Sequence, residues 1–218
     1  MRPINLIADF DGTLVDRDRK LDECMVNLVL NSLRQGWRFN LLTGRSIGDV
    51  RQRFVGPLLS ALPYDDRGLL SNVRIFTCEG ASAWRFCMDG STVADTSYSV
   101  ASRAVFSERD RRKVEDLLDR NLVETLRDAG LALAMRPEWW ENAILVFKAT
   151  GDLSRRNEVV ESLSALIHQD MSVRVGVAGK TSIVIARANI DKRAVFTETL
   201  SGCWREYCNV YIAVVASI

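Results

Sequence analysis

Histidine is almost missing from this chain: His168 is the only one in 218 residues. A Ser-His-Asp triad or a histidine-built metal centre would rest on that single side chain. Its place at the end of an amphipathic helix pattern suits a surface or helix-terminal histidine better. Cysteine is sparse and unpatterned. Cys24, Cys78, Cys87, Cys203 and Cys208 are odd in number and form no CxxC pair. That argues against a disulfide framework or a four-thiolate metal site and for reduced, mostly buried thiols; Cys203 and Cys208 lack the second pair such a site needs. Lysine is scarce as well. Of 29 basic residues only Lys20, Lys113, Lys148, Lys180 and Lys192 are lysines, and the arginines are scattered rather than gathered into a patch. The formal net charge is +1, which gives no electrostatic case for nucleic acid or an anionic membrane as a partner. No stretch approaches the ~20 apolar residues of a membrane span. The N-terminal apolar run is short and interrupted by Asp9, unlike a signal peptide. Together these absences predict a cytoplasmic protein.

What is present is a globular composition, 47% hydrophobic and 26% charged, enough for one large domain or two modest ones. Ile4 to Ala8 reads as a buried strand ending at an acidic cluster. Leu21, Met25, Leu28, Val29 and Leu33 recur at helical spacing, with Gly36 as a stop. Trp37 to Leu42 and Val73 to Cys78 read as further strands, and Ser46 with Asp49 as a capping box for a helix between them. This alternation predicts βαβ crossovers and a parallel sheet. After Glu79-Gly80-Ala81 the chain turns polar. Helices from Ser107 and over 154–168, with strands over 131–135, 143–149 and 173–177, predict a small inserted α+β unit. Ser182–Ala186 and a helix from about Asp191 read as a return to the opening style, and Val210–Val215 as a central strand. The predicted division is 1–84 and 180–218 for an α/β Rossmann-like core and 85–179 for the insertion.

The strongest local signal is Asp9-Phe10-Asp11-Gly12-Thr13, directly after the first strand. Open α/β sheets place ligands at the carboxyl ends of their strands. Two carboxylates at i and i+2 suit a bound divalent cation that orients a phosphate. One could attack phosphorus while the other moves a proton. Gly12 permits a tight turn and a close backbone approach to an anion, and Thr13 adds a hydroxyl. Thr43-Gly44-Arg45 ends the second strand at βαβ spacing from Asp9.

These motifs resemble those of the haloacid-dehalogenase superfamily of phosphotransferases: an apolar strand followed by DxDGT, a second strand ending in T-G-R, and a Lys opening a later helix, matched by Lys192. The resemblance implies that Asp9 is a nucleophile forming an aspartyl-phosphate and that Asp11 is the acid/base. It implies that Thr43 hydrogen-bonds the transferring phosphoryl group and that Lys192 neutralises its charge. Gly12, Thr13, Gly44 and Arg45 would line the phosphate site, and Asp9 and Asp11 would hold Mg²⁺. Lys180 is the rival lysine, but it precedes a strand. About 150 residues between Thr43 and Lys192 resemble the branch with an α/β cap at that point, which includes Cof-type, sucrose- and trehalose-phosphate phosphatases. Phe76–Ala81 is similar to that branch's cap-entry segment. Within the insertion, Arg136, Glu138, Trp139, Trp140 and Glu141, with Lys180 beyond it, are candidate contacts to a sugar phosphate or other small phosphorylated metabolite.

The family's fourth motif, an acidic G-D-x-x-x-D completing the Mg²⁺ site, is expected after Val210–Val215. Ala216-Ser217-Ile218 stand there, and no acidic residue follows Glu206. A shortened chain is the favoured explanation, ahead of a non-catalytic phosphate-binding relative or another carboxylate serving the metal. The expected activity is hydrolysis of a phosphomonoester; a phosphosugar mutase of the same fold is the enzymatic alternative.

Overall fold

The computed structural model describes residues 4–16, 19–167, 172–193, 195 and 209–213. His168, Cys203, Cys208 and the tail at 216–218 lie outside the described residues. The chain divides into two compact units, 1–100 with 191–218, and 101–190.

The first unit is built on a six-stranded sheet in the order β10-β1-β2-β3-β4-β5. β1 (Ile4–Asp9) lies between β10 (Asn209–Ala213) and β2 (Arg38–Leu42), and β2 pairs β3 (Val73–Thr77), all parallel. The sequence reads the stretch after residue 81 only as polar, with no strand assigned to it. Instead β4 (Ser82–Phe86) and β5 (Thr92–Ala94) extend the sheet antiparallel from β3. Pairing with an existing edge, rather than their own hydrophobic pattern, makes them strands.

α1 (Glu23–Arg34) starts at Asp22, whose side chain accepts the Met25 N–H at 2.8 Å. That contact satisfies a donor left unpaired at a helix start. Val26, Val29, Leu30 and Leu33 then face the sheet at helical spacing. They share one core with Ala8, Phe39, Leu41, Val73 and Ile75, alternate residues of the strands. The second crossover is one helical run in three parts: α2 (Ile47–Val50), a π turn (Arg51–Val55) and α3 (Gly56–Ala61). Val50, Phe54 and Leu58 from it are fully buried in that same core.

The second unit packs α5 (Glu108–Asp128) and α6 (Arg156–Ile167) on a four-stranded antiparallel sheet ordered β6-β7-β9-β8. Its strands are β6 (Leu131–Trp140), β7 (Ile144–Gly151), β8 (Val173–Ala178) and β9 (Ser182–Arg187). The reading of 182–186 as a return to the opening sheet is therefore corrected. β9 is hydrogen-bonded to β7 on one side and β8 on the other. A short apolar run carries no mark of which sheet it will join, and its pairing partners decide. α4 (Ser99–Ala104) spans the point where the first unit gives way to the second. The unit boundaries consequently fall at 100 and 190 rather than at 84 and 179.

Candidate active site

Asp9 is the last residue of β1 and lies in register with Leu42, the last of β2. The parallel pairing therefore brings Asp9 and Thr43 to the same carboxyl edge of the sheet. Beyond Asp9 the chain folds back on itself. The Phe10 carbonyl accepts the N–H groups of Leu14 and Val15, both at 3.1 Å, and the Gly12 N–H donates to the Val15 carbonyl at 2.8 Å. Gly12 has φ +79°, a conformation open to glycine at little cost. Phe10 is fully buried and meets Phe54 edge to face, so the turn is anchored between the two carboxylates. The Thr13 hydroxyl oxygen is buried and finds no partner among the described residues.

Lys192 reaches this edge from the far end of the chain. Its Nζ donates to Asp9 Oδ1 at 2.6 Å. The segment bearing it is seated against Gly80: a Cβ there would stand 2.4 Å from Val195 Cγ2 and 3.4 Å from the Asp191 carbonyl. Gly80 ends three consecutive residues with positive φ, Cys78 (53°), Glu79 (61°) and Gly80 (89°). Two of the three are not glycine, so the turn is held by outside contacts. The Cys78 N–H donates to the Arg45 carbonyl at 3.0 Å, the Glu79 N–H to the Thr43 carbonyl at 3.1 Å, and the buried Tyr98 hydroxyl to the Gly80 carbonyl at 2.7 Å. Thr43 is 1% exposed, and its Oγ1 accepts the Arg45 N–H at 3.2 Å. A Cβ on Gly44 would lie 2.3 Å from Glu79 Oε1, so glycine leaves room for that carboxylate beside the Thr43 turn.

Arg45 is committed to two carboxylates. Its Nε donates to both Asp11 oxygens, at 3.0 and 2.8 Å, its Nη2 to Asp11 Oδ1 at 2.6 Å, and its Nη1 to Asp49 Oδ2 at 2.7 Å. Burial works against the Arg45 charge. The hydrogen bonds and charge of Asp11, then of Asp49, outweigh it and hold its pKa above the ordinary arginine value. Arg53 continues the series. Its side chain is only 6% exposed, and its Nη1 lies 3.2 Å from Asp49 Oδ2 and 3.8 Å from Asp11 Oδ1. Its Nε donates to the Arg19 carbonyl at 2.7 Å, and its guanidinium lies 5.2 Å from the Phe10 ring centre.

The structure thus brings Asp9, Asp11, Gly12, Thr13, Thr43, Gly44, Arg45 and Lys192 into one unit. Lys180 belongs to the second unit, exposed in the turn between β8 and β9. The other candidate contacts, Arg136 to Glu141, are also in that unit. There the Trp139 ring packs on Phe106 with centroids 5.0 Å apart, and its Nε1 donates to Glu115 at 2.6 Å. Sequence reading missed Arg53 altogether and took Asp49 only for a cap. The available signal was the four-residue spacing of Arg45, Asp49 and Arg53, the last two on one face of the helical run.

Among the described residues the donor set falls short of a Mg²⁺ site. Asp9 and Asp11 each already carry a cationic partner, and among the described residues no group of three or more His, Cys, Asp or Glu side chains is gathered as ligands. Hard divalent cations take six or more oxygen ligands, commonly from several carboxylates and waters.

No family model and no curated protein matches the chain. Solved structures do match in fold. Plasmodium falciparum IMP-nucleotidase superposes with a TM-score of 0.67 at 13% identity, over 92% of this chain and 51% of its own. Sucrose-phosphatase from Synechocystis sp. PCC6803, in complex with sucrose and phosphate, gives 0.58 at 14% identity, over 97% and 75%. The C-terminal domain of Candida albicans trehalose-6-phosphate phosphatase gives 0.57 at 17%, over 89% and 60%. The chain therefore shares the α/β fold of these three enzymes and spans about half the length of the nucleotidase. Among the described residues no helix is long and apolar enough to cross a membrane.

Proposed function

We propose that the chain hydrolyses a phosphomonoester, a sugar phosphate or another small phosphorylated metabolite, through an aspartyl-phosphate on Asp9. The observation that carries the proposal is the pairing of Lys192 with Asp9 at the strand edge. It fixes Oδ1 and leaves Oδ2 to attack phosphorus. In this reading the Lys192 ammonium group would neutralise the charge that gathers on the equatorial oxygens of the transferring group. In the first step the Asp9 Oδ2–phosphorus bond forms, the ester P–O bond breaks, and Asp11 gives its proton to the departing oxygen. In the second, water attacks phosphorus and Asp11 takes up its proton. The Asp9–phosphorus bond breaks, and inorganic phosphate leaves. The buried Thr13 hydroxyl and the Thr43 turn are the neutral groups offered to the phosphoryl oxygens.

The names of the three structural neighbours, each an enzyme of phosphorylated compounds, support the reaction class. The second unit would serve as the cap that selects substrate, and the cytoplasmic setting belongs to the same reading. Mg²⁺ enters as a requirement to be tested, and no step runs through it. The test is to incubate the chain with an aryl phosphate, reduce with borohydride, and sequence the N-terminal peptide by mass spectrometry. An acyl phosphate on Asp9 is reduced to homoserine there. Homoserine at position 9, absent without substrate, is the expected result; an unmodified Asp9 during sustained turnover contradicts the nucleophile.

A further inference from the structure

We propose that Glu79 is a specificity-determining residue: its carboxylate accepts a hydrogen bond from a hydroxyl of the substrate's leaving group and turns away esters that carry a second negative charge there. This rests on the phosphatase reading above and deepens it, from any small phosphomonoester to one with a neutral, hydroxyl-bearing leaving group.

Position is the first ground. β3 ends at Thr77 and runs parallel to β2, so Glu79 follows it at the carboxyl edge that holds Asp9 and Thr43. The Glu79 N–H donates to the Thr43 carbonyl at 3.1 Å, and its Oε1 fills the space that a Cβ on Gly44 would need. On the other side, Gly80 packs against Asp191 and Val195, in the segment that brings Lys192 to Asp9. Glu79 is therefore flanked by the Thr43 turn and by the lysine segment, the two halves of the phosphate site.

Charge is the second ground. Asp9, Asp11 and Asp49 each have a basic partner. The half-buried Glu79 carboxylate accepts no hydrogen bond and meets no cation among the described residues. An unpaired carboxylate beside a phosphate site repels an anionic ligand, and the ligand offsets this only by bringing a donor. A hydroxyl donating to a carboxylate makes a charge-assisted bond, stronger than a neutral one. A second carboxylate or phosphate on the ligand would meet repulsion instead, and repulsion of the wrong ligand is a source of specificity. Backbone strain is the third ground. Glu79 has φ +61°, a conformation uncommon for residues other than glycine, asparagine and aspartate. Glycine would adopt it more easily. A glutamate held there against its preference points to a task for the side chain.

Three esters of one carbon-chain length separate the two effects: propyl phosphate, glycerol 1-phosphate, which adds hydroxyls, and 3-phosphoglycerate, which adds a carboxylate. The measurement is kcat/KM on each for the wild-type chain, Glu79→Gln and Glu79→Gly, with thermal unfolding of each protein. The wild type is expected to prefer glycerol 1-phosphate to both others. Glu79→Gln keeps an acceptor and loses the charge. It should retain part of the preference over propyl phosphate, while the rate on 3-phosphoglycerate relative to glycerol 1-phosphate rises about 10-fold or more. Glu79→Gly should lose about 10-fold of the preference over propyl phosphate, the size of one hydrogen bond to a charged group. It should unfold at or above the wild-type temperature, because glycine suits this backbone. A merely structural role would move the unfolding temperature and leave both ratios where they were. Unchanged ratios in the folded variants, equal losses on all three esters, or a wild type that prefers 3-phosphoglycerate would overturn the inference and leave the phosphatase standing. A wild-type chain that turns over neither these esters nor an aryl phosphate would overturn both.

Discussion

Lys192 and Asp9 are 183 residues apart in sequence and 2.6 Å apart in space. Asp9 is delivered by the end of β1, and Lys192 by a segment seated on the glycine at position 80. The pair gathers residues from both ends of the chain at one edge of the parallel sheet.

Lys192→Ala should therefore lower kcat by about 10²–10³-fold, the loss typical of removing one preorganised electrostatic donor. KM should change far less, because the charge it neutralises is greatest in the transition state. Steady-state kinetics on any hydrolysed ester checks this. A tenfold rise in KM at unchanged kcat would assign Lys192 to ground-state binding instead.

Gly80→Ala tests how that lysine is held. The new methyl would meet Val195 Cγ2 at 2.4 Å in a backbone with φ +89°. Strain of this kind costs on the order of 1–3 kcal/mol, and here relief requires the 191–195 segment to move away. The expected outcome is a lowered unfolding midpoint together with a fall in kcat. Glycine at position 36, with φ +78° and nothing within 4 Å of a Cβ, is the control: Gly36→Ala should cost stability and leave kcat unchanged.

Much of this arrangement was legible in the sequence, for a physical reason. β1, β2 and β3 are short apolar runs cut off by turn chemistry, and the residues that follow each run must fall at the carboxyl edge of a parallel sheet. The rest depended on partners distant in sequence. β4 and β5 carry polar residues such as Arg85 and Thr92 and exist because β3 offers an edge. Ser182–Arg187 is as apolar as any core strand, and only its pairing with β7 and β8 assigns it to the second unit. Composition does not separate Lys180 from Lys192, whereas the hydrogen bond to Asp9 singles out Lys192. Arg53 stayed hidden because a lone arginine in a helical pattern reads as solvated, and only burial reveals that it holds Asp49.

Acid should weaken the first unit through Asp95. Burial pushes its carboxyl up, but hydrogen bonds from Ser97 and the charge of Arg74 more than reverse that and hold it below the ordinary carboxylate range. Arg74 Nη2 lies 2.6 Å away. A group depressed in the folded state contributes stability above its unfolded value of about 3.9 and loses it as the pH falls through the folded one. Asp95→Asn should lower the unfolding midpoint at pH 7 and flatten its fall below about pH 5. Parallel curves for the two proteins between pH 7 and pH 3 would contradict the assignment.

The central claim is tested most directly by phosphate release from an aryl phosphate by the purified 218-residue chain, with Mg²⁺ and with EDTA, beside Asp9→Asn. The predicted result is turnover that falls about 10³-fold or more in Asp9→Asn while the variant unfolds at the wild-type temperature, as expected for loss of a group that forms the covalent bond. A folded wild-type chain that releases no phosphate under either condition, or an Asp9→Asn variant that keeps full turnover, would contradict it.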